Sequence, residues 1–468
     1  MSQEPARNLP LEEMDKQSSL HPFTALDLHM KTGPRIIASG KGVRVTDTNG
    51  NELLDAMAGL WCVNIGYGRE EIADAVAEQI RKLSYFHSFA SMANEPAIRL
   101  ADRLIGLAPD NMSKVFFGNT GSDANDTQIK LVWYYNNVRG KTKKKKIIAR
   151  KRAYHGVTVI SGGLTGLDLL HTGFDLPLAR VVRTDTPSYY WGAEAGSSER
   201  DFSKELARRL DSLIEAEGPD TIAAFIAEPI MGAGGVIVPP EGYFEEIQKV
   251  LKKHDVLLIA DEVITGFGRL GTWFGTDALG LEPDLMSCAK GLTSAYVPMS
   301  ACIISEPIWQ ALLEGAEKFG PFGHGYTYSA HPVAATAAMV NLDIIEREDL
   351  AGNASRVGAY LQKRLRESFA EHPLVGEVRG MGLIAAIELV ADKANKKPFD
   401  LGLKVAYRMM GKCLEEGLIS RSLVQTNSLG FSPPLVLTEA EVDEIVDKFG
   451  RALATLSDEL KADGIWAG

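Results

Sequence analysis

The feature that most constrains the fold of this chain is a series of short, almost uninterrupted apolar stretches. Each has the length of a β-strand: residues 115–117, 147–149, 222–227, 256–260 and 301–304. Helix-like segments lie between several of them, such as residues 203–217 and 241–253. Strands without polar alternation are buried on both faces, and their alternation with helices is typical of parallel sheets covered by helices. The sequence therefore predicts an α/β fold with a mostly parallel central sheet.

Further patterns lie on both sides of this region. Residues 70–83 have apolar side chains on one helical face, a helical run follows Pro332, and residues 383–389 resemble a strand. Thr438 and Glu441 have the spacing of a capping box at the start of a C-terminal helix. At 468 residues the chain exceeds the size at which single cores usually stop growing, so we expect two domains.

The charge balance argues against a nucleic-acid partner. The chain has 50 basic and 61 acidic residues, a net charge of −11. Nonspecific binding to nucleic acid requires an excess of positive charge. The one basic run, residues 141–146, is interpreted as a solvated loop before a strand.

The cysteines and the hydropathy pattern predict a cytoplasmic protein. Four cysteines lie far apart without a CxxC pair (Cys62, Cys288, Cys302 and Cys413), as expected for reduced thiols. The N-terminus is polar and has no apolar core of a signal peptide. No apolar run approaches the roughly 20 residues that span a bilayer, so we expect no membrane association.

Two residues carry most of the chemical information. Asp261 ends the apolar stretch 256–260, and Lys290 follows a second apolar stretch near residues 284–287. Alone, the first is explained as a turn residue and the second as a solvated side chain. Together they match pyridoxal phosphate chemistry, in which a lysine holds the aldehyde as a Schiff base and a carboxylate keeps the pyridine nitrogen protonated.

The surrounding sequence resembles the class III aminotransferases, in particular the omega-transaminase branch and its (S)-selective amine:pyruvate transaminases. Matching segments occur in order from about residue 34 to the last helix: residues 57–64, 154–156, 227–229, 258–269 and 325–332. The resemblance implies the fold type I of pyridoxal-phosphate enzymes, with a mostly parallel seven-stranded sheet flanked by helices and a smaller α+β domain. We expect a large cofactor-binding domain at residues 76–335. Residues 1–75 and 336–468 are expected to form the smaller domain.

A glycine-rich loop at residues 118–123 is the expected phosphate site. It follows a strand and precedes a helix-like stretch beginning near Ala124, whose N–H groups face an anion. The resemblance assigns phosphate binding to Gly121 and Ser122. Thr120 and Asp123 depart from the usual serine and glutamate, which leaves the contacts around the loop open.

The resemblance also implies a homodimer with shared active sites. In the family, the threonine matching Thr327 completes the phosphate site of the neighbouring subunit. An ordinary loop hydroxyl is the alternative for this residue.

The family also suggests the neighbours of the cofactor ring. Tyr154 matches a residue that stacks on the ring, and Val263 is expected on the opposite face. Glu228 ends the strand at residues 222–227, where its carboxylate would contact the cofactor edge or pair with an arginine. A solvent-facing charge is the alternative for Glu228, and a plain core residue for Tyr154.

Four residues match positions that line the substrate pocket of similar transaminases. Leu60, Trp61 and Phe89 are expected to form its walls, although Trp61 also fits a core position. Arg421 matches a mobile arginine that binds the acceptor carboxylate and moves away for an apolar amine; a surface arginine is the alternative. Arginine suits this task because it binds carboxylates through two parallel hydrogen bonds.

The predicted activity is transfer of an amino group from an amine or omega-amino acid to pyruvate or a related oxo acid, in ping-pong fashion through pyridoxal and pyridoxamine phosphate. The alternatives are a decarboxylase or aminomutase on the same fold, and a non-catalytic cofactor-binding protein. No HExxH, Cys/His ligand spacing or GxSxG occurs, so neither a metal site nor a hydrolase is expected.

Overall fold

The structure, a computed structural model, describes residues 9–468. The first eight residues of the expected N-terminal segment lie outside the described residues. The strands are β1 (Ile37–Lys41), β2 (Arg44–Asp47), β3 (Glu52–Asp55), β4 (Met112–Gly118), β5 (Lys146–Arg150), β6 (Val181–Thr184), β7 (Ile222–Ala227), β8 (Leu257–Asp261), β9 (Leu285–Cys288), β10 (Ser300–Ser305), β11 (Val375–Met381), β12 (Ile384–Asp392), β13 (Lys397–Pro398), β14 (Leu418–Ile419), β15 (Arg421–Ser422) and β16 (Ser428–Phe431).

The helices are α1 (Leu11–Ser18), α2 (Leu26–Thr32), α3 (Ala58–Trp61), α4 (Glu70–Lys82), α5 (Glu95–Leu107), α6 (Gly121–Val138), α7 (Val159–Leu164), α8 (Tyr189–Gly192), α9 (Glu199–Glu217), α10 (Tyr243–Lys253), α11 (Gly275–Leu279), α12 (Glu306–Phe319), α13 (Pro332–Arg347), α14 (Leu350–Phe369), α15 (Val405–Glu415) and α16 (Glu439–Ala462). Short 3₁₀ helices occur at Asp168–Leu170, Lys290–Leu292 and Leu401–Leu403.

The central sheet has seven strands in the order β4-β10-β9-β8-β7-β5-β6. Strand β10 runs antiparallel to both of its neighbours, and the pairs from β9 to β6 are parallel. This confirms the predicted mostly parallel seven-stranded sheet. The apolar stretches recognised in the sequence form β4, β5, β7, β8 and β10, whereas β6 was not predicted.

The two faces of this sheet bury alternate residues of the same strands. On one face, Phe225 and Leu258 belong to a core that also contains Phe244 of α10. On the other face, Ile226 and Ile259 belong to a second core together with residues of α6. Side chains of a strand point alternately to opposite faces, so covering both faces requires the continuous apolar runs seen in the sequence. Each fully buried side chain of this size contributes about 1.5–3 kcal/mol.

The N-terminal and C-terminal parts of the chain meet in a second sheet of order β1-β2-β3-β14. Strand β14 pairs in parallel with β3, so that Leu418 lies opposite Leu54. A third sheet has the order β11-β12-β16-β15, and β13 pairs with β12. This pairing supports the proposal that residues 1–75 and 336–468 form one smaller domain beside residues 76–335.

Capping residues set the starts of two helices. Helix α16 begins with the predicted capping box, in which Oγ1 of Thr438 accepts a hydrogen bond from the backbone N–H of Glu441. Helix α6 begins at Gly121, three residues before the predicted start. Thr120 and Asp123 form a second capping box there, which satisfies backbone N–H groups of the first turn.

Within residues 9–468, no helix is both long and apolar enough to cross a membrane.

Candidate active site

Three predicted site residues follow neighbouring parallel strands. Asp261 is the last residue of β8, Glu228 comes directly after β7, and Lys290 comes two positions after β9. Because these strands are adjacent and parallel, their carboxyl ends meet at one edge of the sheet. An open-mouthed cavity of about 170 Å³ lies at this edge.

Ten of the twelve predicted site residues line this cavity: Leu60, Trp61, Gly121, Ser122, Tyr154, Glu228, Asp261, Val263, Lys290 and Arg421. The structure therefore brings together residues that are distributed over more than 350 positions of the sequence. Phe89 and Thr327 are not among the lining residues.

Asp261 is held as a buried carboxylate by three hydrogen bonds. Its Oδ2 accepts from Nδ2 of Asn125 and Nδ1 of His155, both at 2.8 Å, and its Oδ1 accepts from the backbone N–H of Val263 at 3.2 Å. Burial by itself raises the pKa of Asp261, but the hydrogen bonds and the nearby His155 outweigh it, so the pKa lies below its ordinary value. The side chain therefore carries a negative charge at neutral pH.

Asn125 and His155 are functional candidates that the sequence analysis missed. Nδ2 of Asn125 bridges Asp261 and the backbone carbonyl of His155, to which it donates at 2.7 Å. Oδ1 of Asn125 and Nε2 of His155 are buried without a hydrogen-bond partner among the described residues. The only sequence signal was the position of His155 between Tyr154 and Gly156 in a recognised motif.

Lys290 combines strained backbone with an unpaired amine. Its φ of 42° lies in the left-handed region, which a residue with a side chain adopts at a cost of about 1–3 kcal/mol. Among residues 9–468, Nζ has neither a hydrogen-bond nor an ion-pair partner. Burial lowers the pKa of Lys290, although the nearby Cys62, Asp261 and Glu228 counteract part of this effect. The amine is consequently easier to deprotonate than an ordinary lysine.

The Glu228 carboxylate organises two backbone segments. Its Oε1 accepts from the N–H of Tyr154 at 3.1 Å, and its Oε2 accepts from the N–H of Gly232 at 2.8 Å. Arg150 donates to the backbone carbonyl of Glu228, whereas no arginine of the described chain donates to the carboxylate. Burial raises the pKa of Glu228, and the nearby Asp261 adds to this effect. The predicted solvent-facing alternative is wrong, because the residue is 4% exposed.

Part of the cavity lining is formed by the first turn of α6. Gly121 and Ser122 lie at this N-terminus, where free backbone N–H groups favour an anion. The Asp123 carboxylate accepts from the N–H groups of Asn119 and Thr120 and from Oγ of Ser300. Although Thr120 and Asp123 differ from the serine and glutamate usual in the family, they still form ordered hydrogen bonds around the loop.

Close packing around the first turn requires glycine at position 156. Gly156 has a φ of +129°, and a Cβ atom there would lie 2.5 Å from Oγ of Ser122. The backbone N–H of the next residue, Val157, donates to this oxygen at 3.1 Å. The segment after Tyr154 is thereby fixed against the helix start.

Apolar side chains and one guanidinium form the remaining wall. Trp61 is buried, and Phe23, which was not predicted, lies with its ring centroid 6.5 Å from that of Tyr154. Arg421 lies in β15, and burial lowers its pKa, with Tyr154 acting in the opposite direction. Arg421 lines the cavity and follows the short strand β14, and its predicted role in binding the acceptor carboxylate stays a prediction.

Phe89 and Thr327 lie together on the surface. Phe89 is 46% exposed, and a Cβ atom on Gly325 would be 3.0 Å from its ring. The exposed Thr327 is near the same segment, where its backbone carbonyl accepts from the Tyr85 hydroxyl at 2.6 Å. Within this one chain Phe89 does not line the cavity, so its predicted role as a pocket wall stays a prediction, as does the predicted contact of Thr327 with the phosphate of a neighbouring subunit.

The residues of the cavity fit pyridoxal phosphate. The phosphate matches the α6 N-terminus with Ser122, the pyridine nitrogen matches the anionic Asp261, and the aldehyde matches the unpaired amine of Lys290. The unpartnered polar atoms of Asn125 and His155 lie around the same carboxylate.

Comparison with known proteins gives a consistent result. The chain matches the family described as Aminotransferase class-III over residues 28–453. It is 54% identical to the uncharacterized aminotransferase y4uB of Sinorhizobium fredii and 50% identical to the diaminobutyrate–2-oxoglutarate transaminase of Halomonas elongata. Each alignment spans 458 residues, which is 97% of this chain and 98% of the relative.

The fold is also similar to that of an omega transaminase from Pseudomonas jessenii, solved in complex with PMP. The TM-score is 0.94 at 47% identity, and the match covers 97% of this chain and 99% of the other.

Proposed function

The chain belongs to the class-III aminotransferases, which use pyridoxal phosphate, and we propose that it transfers an amino group from an amine or omega-amino acid to pyruvate. Family membership favours transamination over the decarboxylase, aminomutase and non-catalytic alternatives. An amine donor and an oxo-acid acceptor are therefore its general substrates.

The observation that carries the proposed specificity is the distribution of charge in the cavity. Within the described chain, Arg421 provides the only guanidinium of the cavity lining, and Lys290 is assigned to the cofactor. One guanidinium matches an acceptor with one carboxylate beside its carbonyl, such as pyruvate. The neighbouring wall of Phe23, Leu60 and Trp61 is apolar and suits the uncharged tail of an amine.

Bound pyridoxal phosphate supplies an aldehyde that links to amines and a ring that accepts the electron pair left when a substrate carbon loses its proton. The protein residues determine where charge and protons reside. Asp261 remains anionic and favours a protonated ring nitrogen, and the bonds from Asn125 and His155 keep its carboxylate oriented. Gly121 and Ser122 are assigned to the phosphate, and Tyr154 and Val263 to the two faces of the ring.

Lys290 has two assigned tasks. Its Nζ holds the cofactor in the resting enzyme. Once the substrate amine has replaced it, the same atom would accept the proton from the substrate carbon and deliver it to the carbon of the cofactor's former aldehyde. The lowered pKa favours this role, because more of the amine is neutral near pH 7 than in an ordinary lysine.

A second candidate activity is transamination between diaminobutyrate and 2-oxoglutarate, which the name of the Halomonas elongata relative suggests. 2-Oxoglutarate has two carboxylates, and binding both would require a second cationic group beside Arg421. The single guanidinium of the cavity therefore favours the monocarboxylate acceptor.

We further propose that the active form is a cytoplasmic homodimer. The exposed position of Thr327 supports this assembly, since its hydroxyl would reach the phosphate site of the second chain.

Acceptor competition tests the proposed specificity. Purified enzyme would receive one amine donor with equal concentrations of pyruvate and 2-oxoglutarate, and alanine and glutamate would be quantified. We expect alanine to predominate with 1-phenylethylamine and with omega-amino acids. A predominance of glutamate with diaminobutyrate as the best donor would instead support the second candidate.

A further inference from the structure

Two histidines and an aspartate converge near the N-terminus, outside the cavity residues assigned above. Asp15 belongs to α1, His29 belongs to α2, and His21 lies between the helices. Nε2 of His21 is 2.8 Å and 2.9 Å from the two Asp15 carboxylate oxygens, and Nε2 of His29 is 3.0 Å from Oδ2. The two imidazole rings have their centroids 4.3 Å apart.

The second observation is that one ring nitrogen of His29 is buried and has no hydrogen bond within residues 9–468. The side chain is 8% exposed, and Nε2 is buried without a hydrogen-bond partner among the described residues. It lies close to the carboxylate, but the ring is not oriented for an N–H to donate to Oδ2. An imidazole that is near a carboxylate yet not bonded to it is suited to direct a lone pair at an ion between them.

The spacing agrees with metal coordination. The ligand atoms of the three residues all lie within 4.8 Å of one another. Around a tetrahedral zinc ion with bonds of roughly 2.0–2.1 Å, ligand atoms are about 3.3 Å apart. The nitrogen–oxygen distances of 2.8–3.0 Å are close to this separation, so small side-chain shifts would open the space for such an ion.

We propose that Asp15, His21 and His29 bind a divalent transition-metal ion, with zinc the best match to two imidazoles and one carboxylate. The site leaves a fourth position for water. The sequence analysis expected no metal because the spacings from 15 to 21 and from 21 to 29 match no recognised ligand motif. The ligands meet only in the folded chain, because Asp15 lies on α1, His29 on α2 and His21 between them.

An ion here would stabilise a segment that has little apolar packing. Helix α1 has no buried residue, and His29 is the one buried residue of α2. Small units without a core of their own usually need a metal or a disulfide. Phe23, two positions after His21, lines both the active-site cavity and an adjoining apolar cavity. The ion would thus hold one wall of the active site in place.

A similar group elsewhere provides a matched control. Asp211, Glu215 and His254 also lie within 4.8 Å of one another. There, however, Nζ of Lys253 donates to both Asp211 oxygens, at 2.7 Å and 2.9 Å, whereas Asp15 has only histidines as ion-pair partners among the described residues. A lysine already neutralises that group, so we expect it to bind no metal.

The test is calorimetric titration of tag-free, cofactor-loaded enzyme with Zn²⁺. We expect one Zn²⁺ per chain in the wild-type protein and in the His254→Gln control. His21→Gln, His29→Gln and the nearly isosteric Asp15→Asn should each weaken binding at least about tenfold. Cofactor absorbance in each variant reports whether the fold is intact. This measurement does not depend on the amine or the acceptor that the enzyme uses.

A second readout locates the ion. Trypsin cleavage after Lys16 and Lys31 should slow with Zn²⁺ in the wild-type protein and in His254→Gln, but not in His29→Gln. Co²⁺ should give the visible absorption of a tetrahedral site, which the His29→Gln variant lacks. The proposal is wrong if wild-type protein binds no Zn²⁺ at micromolar concentration. It is also wrong if the His21 and His29 variants bind Zn²⁺ as the wild type does.

Discussion

The sheet edge at Asp261 and Lys290 differs sharply from the surface at Phe89 and Thr327. The first is complete within one chain: Asp261 is buried and accepts three hydrogen bonds from residues of the same chain. The second exposes large side chains to solvent, among them Phe86, Phe89, Phe322 and Tyr328. Clusters of exposed apolar side chains mark interaction surfaces.

The difference indicates which functional groups are positioned by one chain alone and which are expected to depend on a second chain. The groups that control protons and ring charge are positioned by the core of the large sheet. Thr327, which is assigned to a neighbouring site, is positioned by an exposed surface segment. Changes at the sheet edge should therefore eliminate chemistry, whereas changes at the surface should weaken binding and assembly.

The largest expected effect is that of Lys290→Ala. Removal of the proton-transferring amine should lower turnover by about 10⁴-fold or more, at the upper end of the range for general acid–base catalysis. Borohydride treatment of the wild-type enzyme should attach the cofactor to the peptide containing Lys290, as mass spectrometry would reveal. Lys151→Ala, which removes an exposed lysine paired with Asp185, is the matched control and should be fully active. A label on another lysine would refute the assignment.

Asp261→Asn should have the next largest effect. The variant should keep its cofactor, because the phosphate and lysine contacts remain, but lose the negative charge that stabilises a protonated ring. We expect a cost on the order of 4 kcal/mol, about 10³-fold in kcat. Cofactor absorbance and steady-state rates, measured on the same samples, separate loss of chemistry from loss of cofactor. A nearly normal kcat would exclude Asp261 from the mechanism.

Arg421→Ala should have a smaller effect than the two preceding variants, because Arg421 lines the cavity but is expected to bind only one of the two substrates. Loss of a charged hydrogen bond costs roughly 1.5–3 kcal/mol. The rate of the half-reaction with pyruvate should therefore fall about 10- to 150-fold. The half-reaction with 1-phenylethylamine, which has no carboxylate, should change far less. Single-turnover rates for each half-reaction measure this asymmetry. Equal losses in both would indicate a structural arginine.

Thr327→Val should have the smallest effect, on cofactor retention rather than chemistry. Loss of one hydroxyl hydrogen bond costs about 0.5–1.5 kcal/mol, so the cofactor should dissociate up to about tenfold more readily. Thr327→Ser, which keeps the hydroxyl, should behave like the wild type.

A mixed dimer tests whether Thr327 contacts the cofactor of its own chain or that of the partner chain. One chain would carry Lys290→Ala and the other Thr327→Val. If the threonine reaches across, the site with Lys290 also receives an intact Thr327 and should retain cofactor as the wild type does. Retention as weak as in the Thr327→Val homodimer would place the threonine in its own chain's site.

Much of the fold and the centre of the site followed from local patterns. Strands β7 and β8 were evident because burial on both faces requires continuous apolar sequence, and Asp261 stood out as a charge at the end of such a run. Strand β6 was missed because it is short and alternates between buried and partly exposed residues, with Arg183 and Thr184 among its four positions. A short, partly polar run resembles a loop.

The residues missed around the cavity depend on tertiary packing. Asn125 lies inside a helix, and its importance appears only when α6 packs beside β8 and presents the amide to Asp261. Phe23 lies in a turn between two short helices, where no periodicity indicates its direction. Both residues act through a neighbour that is more than 100 positions away, which a local pattern cannot reveal.

The pairing of β3 with β14 has a consequence for biosynthesis. Leu53 and Leu54 are buried in the finished protein, yet the strand opposite them lies roughly 360 residues later in the chain. At a translation rate of about 5–20 residues per second, β3 waits on the order of 20–70 s for its partner to be made. During that interval the large sheet can form on the ribosome while the N-terminal hairpin exposes an unpaired, apolar edge. Newly made chains should therefore depend on chaperones mainly at their N-terminal end.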